Sequence, residues 1–172
     1  MPHRVLILCT GNCVRSQMAE GLLRQLGGAA YEVHSAGSKP NGYVSSLAIE
    51  AMAKIAIDIS RHRSKSVAEF DGQRFDTVIT VCDSAAQECP VFPGAQRIHW
   101  SIWDPGNAKG SPEEKLADFC HVRDELALRL RQFLADRVSG EEAATKSPGP
   151  LRRQRERDQG FYPRRNDSLR SE

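Results

Sequence analysis

The chain lacks any excess of charge of one sign. Its 172 residues carry 24 Lys and Arg against 22 Asp and Glu, a formal net charge of +2. That balance leaves no basic footprint for a nucleic-acid backbone or an anionic membrane surface, so neither is expected as a partner. Long hydrophobic runs are missing as well. No stretch approaches the ~20 apolar residues that cross a bilayer. Nor is there a cationic start followed by an apolar stretch and a small-residue cleavage site, and a cytoplasmic location is expected. The chain also lacks an even set of cysteines: it has five. A secreted disulfide scaffold prefers an even count in a smaller chain, so these thiols are expected to be catalytic, redox-active or buried. Paired Cys and His at zinc-ligand spacing are absent, and no bound metal is expected.

What remains is an ordinary globular composition, 40% apolar and 27% charged, long enough for one domain with a full core. A short apolar run at Val5–Leu8 ends in a Thr10-Gly11-Asn12 turn signal. Met18, Leu22, Leu23 and Leu26 then recur at helical spacing until Gly27-Gly28 stops the helix. A second strand is expected over Tyr31–Ala36 and a second amphipathic helix around Leu47, Ala51, Met52 and Ile55. Thr77–Val81 reads as a strand buried on both faces, and Arg97–Trp100 as a weaker fourth. A long helix from about Glu113 to about Arg137 places Leu116, Phe119, Cys120, Leu126, Leu130 and Phe133 on one stripe. Alternating strands and helices predict a single α/β domain over residues 1–138. Its four-stranded parallel sheet carries helices on both faces, and its ligand site lies beyond the carboxyl ends of the strands. Residues 139–172, rich in Arg, Glu, Ser, Pro and Gly, are expected to form a disordered charged tail.

The segment Cys9-Thr10-Gly11-Asn12-Cys13-Val14-Arg15-Ser16 sits at that site, with a cysteine at a strand end and an arginine six residues later where a helix begins. A loop of this length turns several backbone N–H groups inward, and the helix start adds its unsatisfied donors and positive dipole end. Such a nest holds a tetrahedral oxyanion, and Arg15 supplies a planar fork able to bind two of its oxygens. The same field is expected to lower the Cys9 thiol from ~8.5 toward the reactive range. Nucleophile and anion site then coincide, as attack on phosphorus or arsenic requires. A bare Cys-x5-Arg pair would more often be a strand-end thiol and a surface arginine; the flanking strand, turn and helix favour the oxyanion site. Ser16 is placed either to hydrogen-bond the Cys9 sulfur or merely to cap the helix, and the Asn12 amide to stabilise the loop.

Cys82 follows the third strand directly and is expected on the same rim as Cys9. Cys89 lies seven residues on, across the short polar stretch Ser84–Glu88, either a helix or a loop. A rim thiol can approach an adduct on Cys9, and a thiol on a mobile segment can take over the oxidation, provided the segment moves to disulfide distance. The alternative is that one or both are structural. Asp104-Pro105, in the loop after the fourth strand, places a carboxyl group over the anion site, although an isolated Asp-Pro is more often only a turn.

Val5 to Leu134 resembles the thioredoxin-coupled arsenate reductases, which share the flavodoxin-like fold of the low-molecular-weight protein tyrosine phosphatases. The resemblance rests on Cys9–Gly21, Ser35-Ala36-Gly37, Ala48–Met52, Asp58-Ile59-Ser60, His62, Val81-Cys82, Cys89-Pro90, Trp100, Asp104-Pro105 and Val122–Glu125. It implies that Cys9 attacks arsenate while Asp104 protonates the departing oxygen. A Cys9–Cys82 disulfide then forms as arsenite leaves, and a Cys82–Cys89 disulfide replaces it and is reduced by thioredoxin. The resemblance implies no bound cofactor, and a monomer is expected. Asn12, Glu20 and Ser35 match positions that hold potassium in some members, and Lys65 stands where a further carboxylate ligand aligns, so its ammonium is expected to replace the ion. Cys13 and Val14 depart from the family loop; Cys13 is expected to contribute its backbone N–H, and Cys120 to be a core thiol. Two rival readings use the same loop. A phosphatase would hydrolyse a phosphocysteine at Cys9 without needing Cys82 or Cys89, and a non-catalytic redox- or arsenic-responsive protein would need neither Arg15 nor Asp104.

Overall fold

A computed structural model describes residues 1–145, with side chains to residue 140. Four strands, β1 (His3–Cys9), β2 (Tyr31–Gly37), β3 (Thr77–Thr80) and β4 (Gln96–His99), form one sheet in the order β2-β1-β3-β4, and every pairing is parallel. The helices are α1 (Arg15–Gly27), α2 (Ser46–Ala53), α3 (Asp83–Glu88) and α4 (Pro112–Thr145). This is the α/β architecture expected, with strand limits moved by one or two residues.

The central strands are buried on both sides, as their unbroken apolar runs require: Val5 through Cys9 and all of β3 are inaccessible. Because successive side chains alternate between faces, the register assigns each face its cover. Val5, Ile7, Val33 and Ser35 share the face on which α1, α2 and α4 pack together. On the other face, Leu6, Leu8, His34 and Ala36 meet α3 and the 3-10 turn Val67–Phe70. An edge-to-face chain of aromatics from His34 through Phe70 and Phe75 to Phe92 completes that second layer.

One element resolves an open expectation and another departs from its expected end. The Cys82–Cys89 stretch, open between helix and loop, forms the six-residue α3. The last helix runs to Thr145 rather than ending near Arg137. The strong helix formers after Val138 (Glu141, Glu142, Ala143, Ala144) carry it on past the end of its apolar stripe. The rest of the expected charged tail, residues 146–172, lies outside the described residues. Among the described residues no helix is long and apolar enough to cross a membrane.

Candidate active site

The strand ends converge on the loop between β1 and α1. Cys9 is the last residue of β1, buried beside the core, and its Sγ lies 2.9 Å from Ser16 Oγ. The backbone N–H of Asn12 donates to the same sulfur at 3.2 Å. A backbone N–H from within the loop and a hydroxyl from the first turn of α1 therefore meet on one thiol. Burial nevertheless pushes the Cys9 thiol up; Ser16, Arg15 and the Asn12 amide pull against it. The direction is opposite to that expected from the sequence, because desolvation of a fully enclosed thiol outweighs the loop's field. Anion-stabilising geometry is present, but it works against a desolvation cost that the sequence could not display.

The loop is braced from within. Asn12 has φ 45°, a left-handed conformation that Asn tolerates better than most residues. Its amide donates to Ser16 Oγ at 2.8 Å and to Ser35 Oγ at 2.9 Å, and its carbonyl oxygen accepts from the Lys65 N–H at 2.7 Å. Thr10 and Gly11 carbonyls face away from the arc and accept from the Lys39 and Asn41 N–H groups. The Cys13 carbonyl accepts from the Ser45 N–H, and Val14 packs into the core ahead of α1. These three carbonyls are bonded to neighbouring segments, an arrangement compatible with a backbone nest.

Arg15 and Asp104 meet directly. Arg15 Nη2 lies 2.7 Å from Asp104 Oδ2, and Nη1 donates to the Ile102 carbonyl at 2.8 Å. The other Asp104 oxygen accepts from the Gly106 N–H at 2.9 Å, capping the turn Pro105–Asn107. Both outer guanidinium nitrogens are thus occupied at the mouth of the site. An oxyanion binding in the loop competes with Asp104 for Arg15.

Cys82 and Cys89 bracket α3 at its two ends. Cys82 is buried, and its Sγ lies 3.4 Å from Oγ1 of Thr10, the residue after Cys9. Cys89 is half-buried; Leu8, Cys9, Ala85 and Cys89 line one cavity of about 10 Å³, room for a single water. Burial pushes the Cys89 thiol up, with Arg97 opposing. All five cysteines are free thiols. The six helical residues of α3 lie between Cys82 and Cys89 and hold them about 10 Å apart along the axis, beyond the roughly 4.4–6.8 Å of a disulfide. Cys13 accepts from Asn41 Nδ2 at 3.0 Å, and burial followed by the nearby Cys9 pushes its thiol up. Cys120 packs against the core on α4, as expected.

Asn12, Glu20, Ser35 and Lys65 form one buried cluster. Ser35 Oγ donates to Glu20 Oε2, and Lys65 Nζ lies 3.6 Å from that oxygen. Arg24 Nη2 contacts Oε1 at 2.6 Å. Burial pushes the Lys65 ammonium down, and the Glu20 carboxylate opposes it. A cation therefore already sits on this carboxylate. Among the described residues no group of three or more His, Cys, Asp or Glu could hold a metal ion. Gln17, the residue after Ser16, braces the same loop. Fully buried, its amide donates to Asn12 Oδ1 at 2.9 Å and to the Arg63 carbonyl at 2.8 Å, tying the loop to the chain ahead of Lys65.

Residues 4–144 match the low-molecular-weight phosphotyrosine protein phosphatase family. The chain is 43% identical to an arsenate reductase of Halalkalibacterium halodurans over 130 residues, and 42% identical to one of Bacillus subtilis; each alignment covers 75% of this chain and 93% of the relative. Among solved structures, an arsenate reductase in the reduced state superposes with a TM-score of 0.65 at 29% identity, over 78% of this chain and 98% of the other. The thioredoxin-dependent arsenate reductase of Corynebacterium glutamicum gives 0.63 at 26% identity, over 78% of this chain and 61% of the other. The chain belongs to the low-molecular-weight phosphotyrosine protein phosphatase family, and arsenate reductases are among its relatives there.

Proposed function

We propose that the protein reduces arsenate to arsenite. The observation that carries the reading is Cys82: a second buried thiol, 3.4 Å from the hydroxyl of Thr10, on the rim of the loop that holds Cys9. Hydrolysis of a phosphocysteine has no use for it. In the first step arsenate occupies the loop, Arg15 turns from Asp104 to the oxyanion, and the Cys9 sulfur attacks arsenic. An As–S bond forms, and one arsenic–oxygen bond breaks with its oxygen leaving as water, protonated by Asp104. Ser16 and the Asn12 N–H favour the thiolate against the burial that pushes the thiol up. In the second step Cys82 attacks Cys9 Sγ. The S–S bond forms as the As–S bond breaks, and its electron pair stays on arsenic, which departs as arsenite. In the third, Cys89 attacks Cys82 and frees Cys9 as a thiol, leaving a Cys82–Cys89 disulfide that an external dithiol of the thioredoxin type reduces. Two thiols are oxidised and one arsenic(V) is reduced per cycle.

The test is arsenate-dependent NADPH oxidation coupled through thioredoxin and its reductase. Wild type is expected to turn over, and Cys9→Ser, Cys82→Ser and Cys89→Ser each to lose at least about a hundredfold, as removal of a covalent participant does. If Cys82→Ser and Cys89→Ser hydrolyse an aryl phosphate as well as wild type while wild type ignores arsenate, the protein is a phosphatase.

A further inference from the structure

We propose that two exposed contacts, the Asp83–His99 hydrogen bond and the Glu88–Lys39 ion pair, clamp α3 at its two ends and thereby set how readily Cys82 and Cys89 join in a disulfide. The inference rests on the relay above. At the first end, Asp83 is the residue after Cys82 and opens α3; its Oδ1 lies 3.0 Å from His99 Nε2 and its Oδ2 3.3 Å from Ser101 Oγ. The other ring nitrogen of His99, Nδ1, is 2.8 Å from Oγ1 of Thr80, on β3 just ahead of Cys82. The His99 ring is thus held from both sides, and it ties the start of α3 to the carboxyl ends of β3 and β4. At the second end, Glu88 is the residue before Cys89 and closes α3; its Oε1 accepts from Lys39 Nζ at 2.9 Å. Lys39 follows β2, and its own N–H donates to the Thr10 carbonyl at 2.9 Å, so this clamp is anchored on the loop that holds Cys9.

The geometry makes the clamps matter. An intact α3 keeps the two thiols about 10 Å apart along its axis, so the disulfide forms only if at least one end of the helix detaches. A six-residue helix has little stability of its own, and contacts at its ends make up much of what holds it. Each pair favours the dithiol, because each is lost or weakened when the segment unwinds. Weakening either shifts the balance toward the disulfide, in which two thiol hydrogens and two electrons pass to the oxidant. His99 and Lys39 are positioning residues here, acting on the thiols through α3.

The test equilibrates the protein with mixtures of reduced and oxidised dithiothreitol in a Cys9→Ser background, so that Cys82 pairs only with Cys89. Peptide mapping after thiol trapping reads the oxidised fraction. His99→Ala and Lys39→Met are each expected to move the midpoint about threefold toward the disulfide, and the double variant about tenfold, in keeping with exposed pairs that act separately. Lys39→Arg, which keeps the charge, is expected to hold the parent midpoint. Unmoved midpoints in His99→Ala and Lys39→Met, or shifts toward the dithiol, would overturn the clamp while leaving the relay intact. Absence of any Cys82–Cys89 disulfide in the parent would overturn the relay itself.

Discussion

Ser16 and Lys65 show how single side chains set the chemistry of this loop. The Cys9 thiol is pushed up by burial, and the largest influence opposing that is its hydrogen bond to Ser16. Ser16→Ala removes that influence, raises the thiol further and lowers the thiolate fraction at any pH below it. Hydrogen bonds to charged groups contribute about 1.5–3 kcal/mol, so alkylation of Cys9 by iodoacetamide at neutral pH is expected to slow by about tenfold or more. An unchanged rate would mean that Ser16 only caps the helix. At the Glu20 cluster the Lys65 ammonium lies 3.6 Å from Oε2, and we propose that it stands in for a monovalent cation. Turnover is therefore expected to be indifferent to exchange of potassium for sodium at constant ionic strength, and a several-fold potassium stimulation would contradict it.

Strand ends and short loops, more than any one residue, hold the site together. Gly37 closes β2 against the loop: a Cβ there would run into the Thr10 carbonyl and come within 3.0 Å of the Asn12 nitrogen. Both neighbours are backbone of the anion loop and cannot move without distorting it. Gly37→Ala is expected to leave the fold in place, judged by circular dichroism, and to cut turnover by about a hundredfold, the scale of an ångström-sized misplacement. Much at this scale was legible in the sequence, because a strand, a Thr-Gly-Asn turn, a cysteine and an arginine within seven residues form a local pattern. The pairing of Arg15 with Asp104 spans 89 residues, so no spacing rule announces it. Desolvation of Cys9 was hidden for the same reason, since it depends on what distant segments lay over the strand end. Whether Ser84–Glu88 is helix or loop was open because its ends are fixed by Asp83–His99 and Lys39–Glu88, contacts made to other elements.

For the molecule as a whole, α4 packs across both α1 and α2. Leu126 and Leu130 are fully buried on its inner stripe, Phe133 meets Tyr31 edge to face, and Arg123 Nη1 donates to the Ala51 carbonyl at 2.7 Å to tie α4 to the end of α2. Leu126→Ala opens a cavity away from the loop and is expected to cost about 2–5 kcal/mol. In a domain of this size that lowers the thermal midpoint by roughly 5–15 °C, with specific activity retained below it. A parallel loss of activity in the folded state would show that α4 does more than support the sheet. The amphipathic period that forecast α4 also forecast its end too early, since the apolar stripe stops before the helix does.

The central claim is that oxidation of Cys9 and Cys82 is what reduces arsenic, and a single turnover of Cys89→Ser isolates that step. Fully reduced Cys89→Ser is mixed with excess arsenate in the absence of any reductant, and released arsenite and protein disulfides are counted. Arsenate reduction by this relay predicts one arsenite per chain and one disulfide, mapped to Cys9 and Cys82. No arsenite, with Cys9 and Cys82 both still free thiols after prolonged incubation, would contradict it.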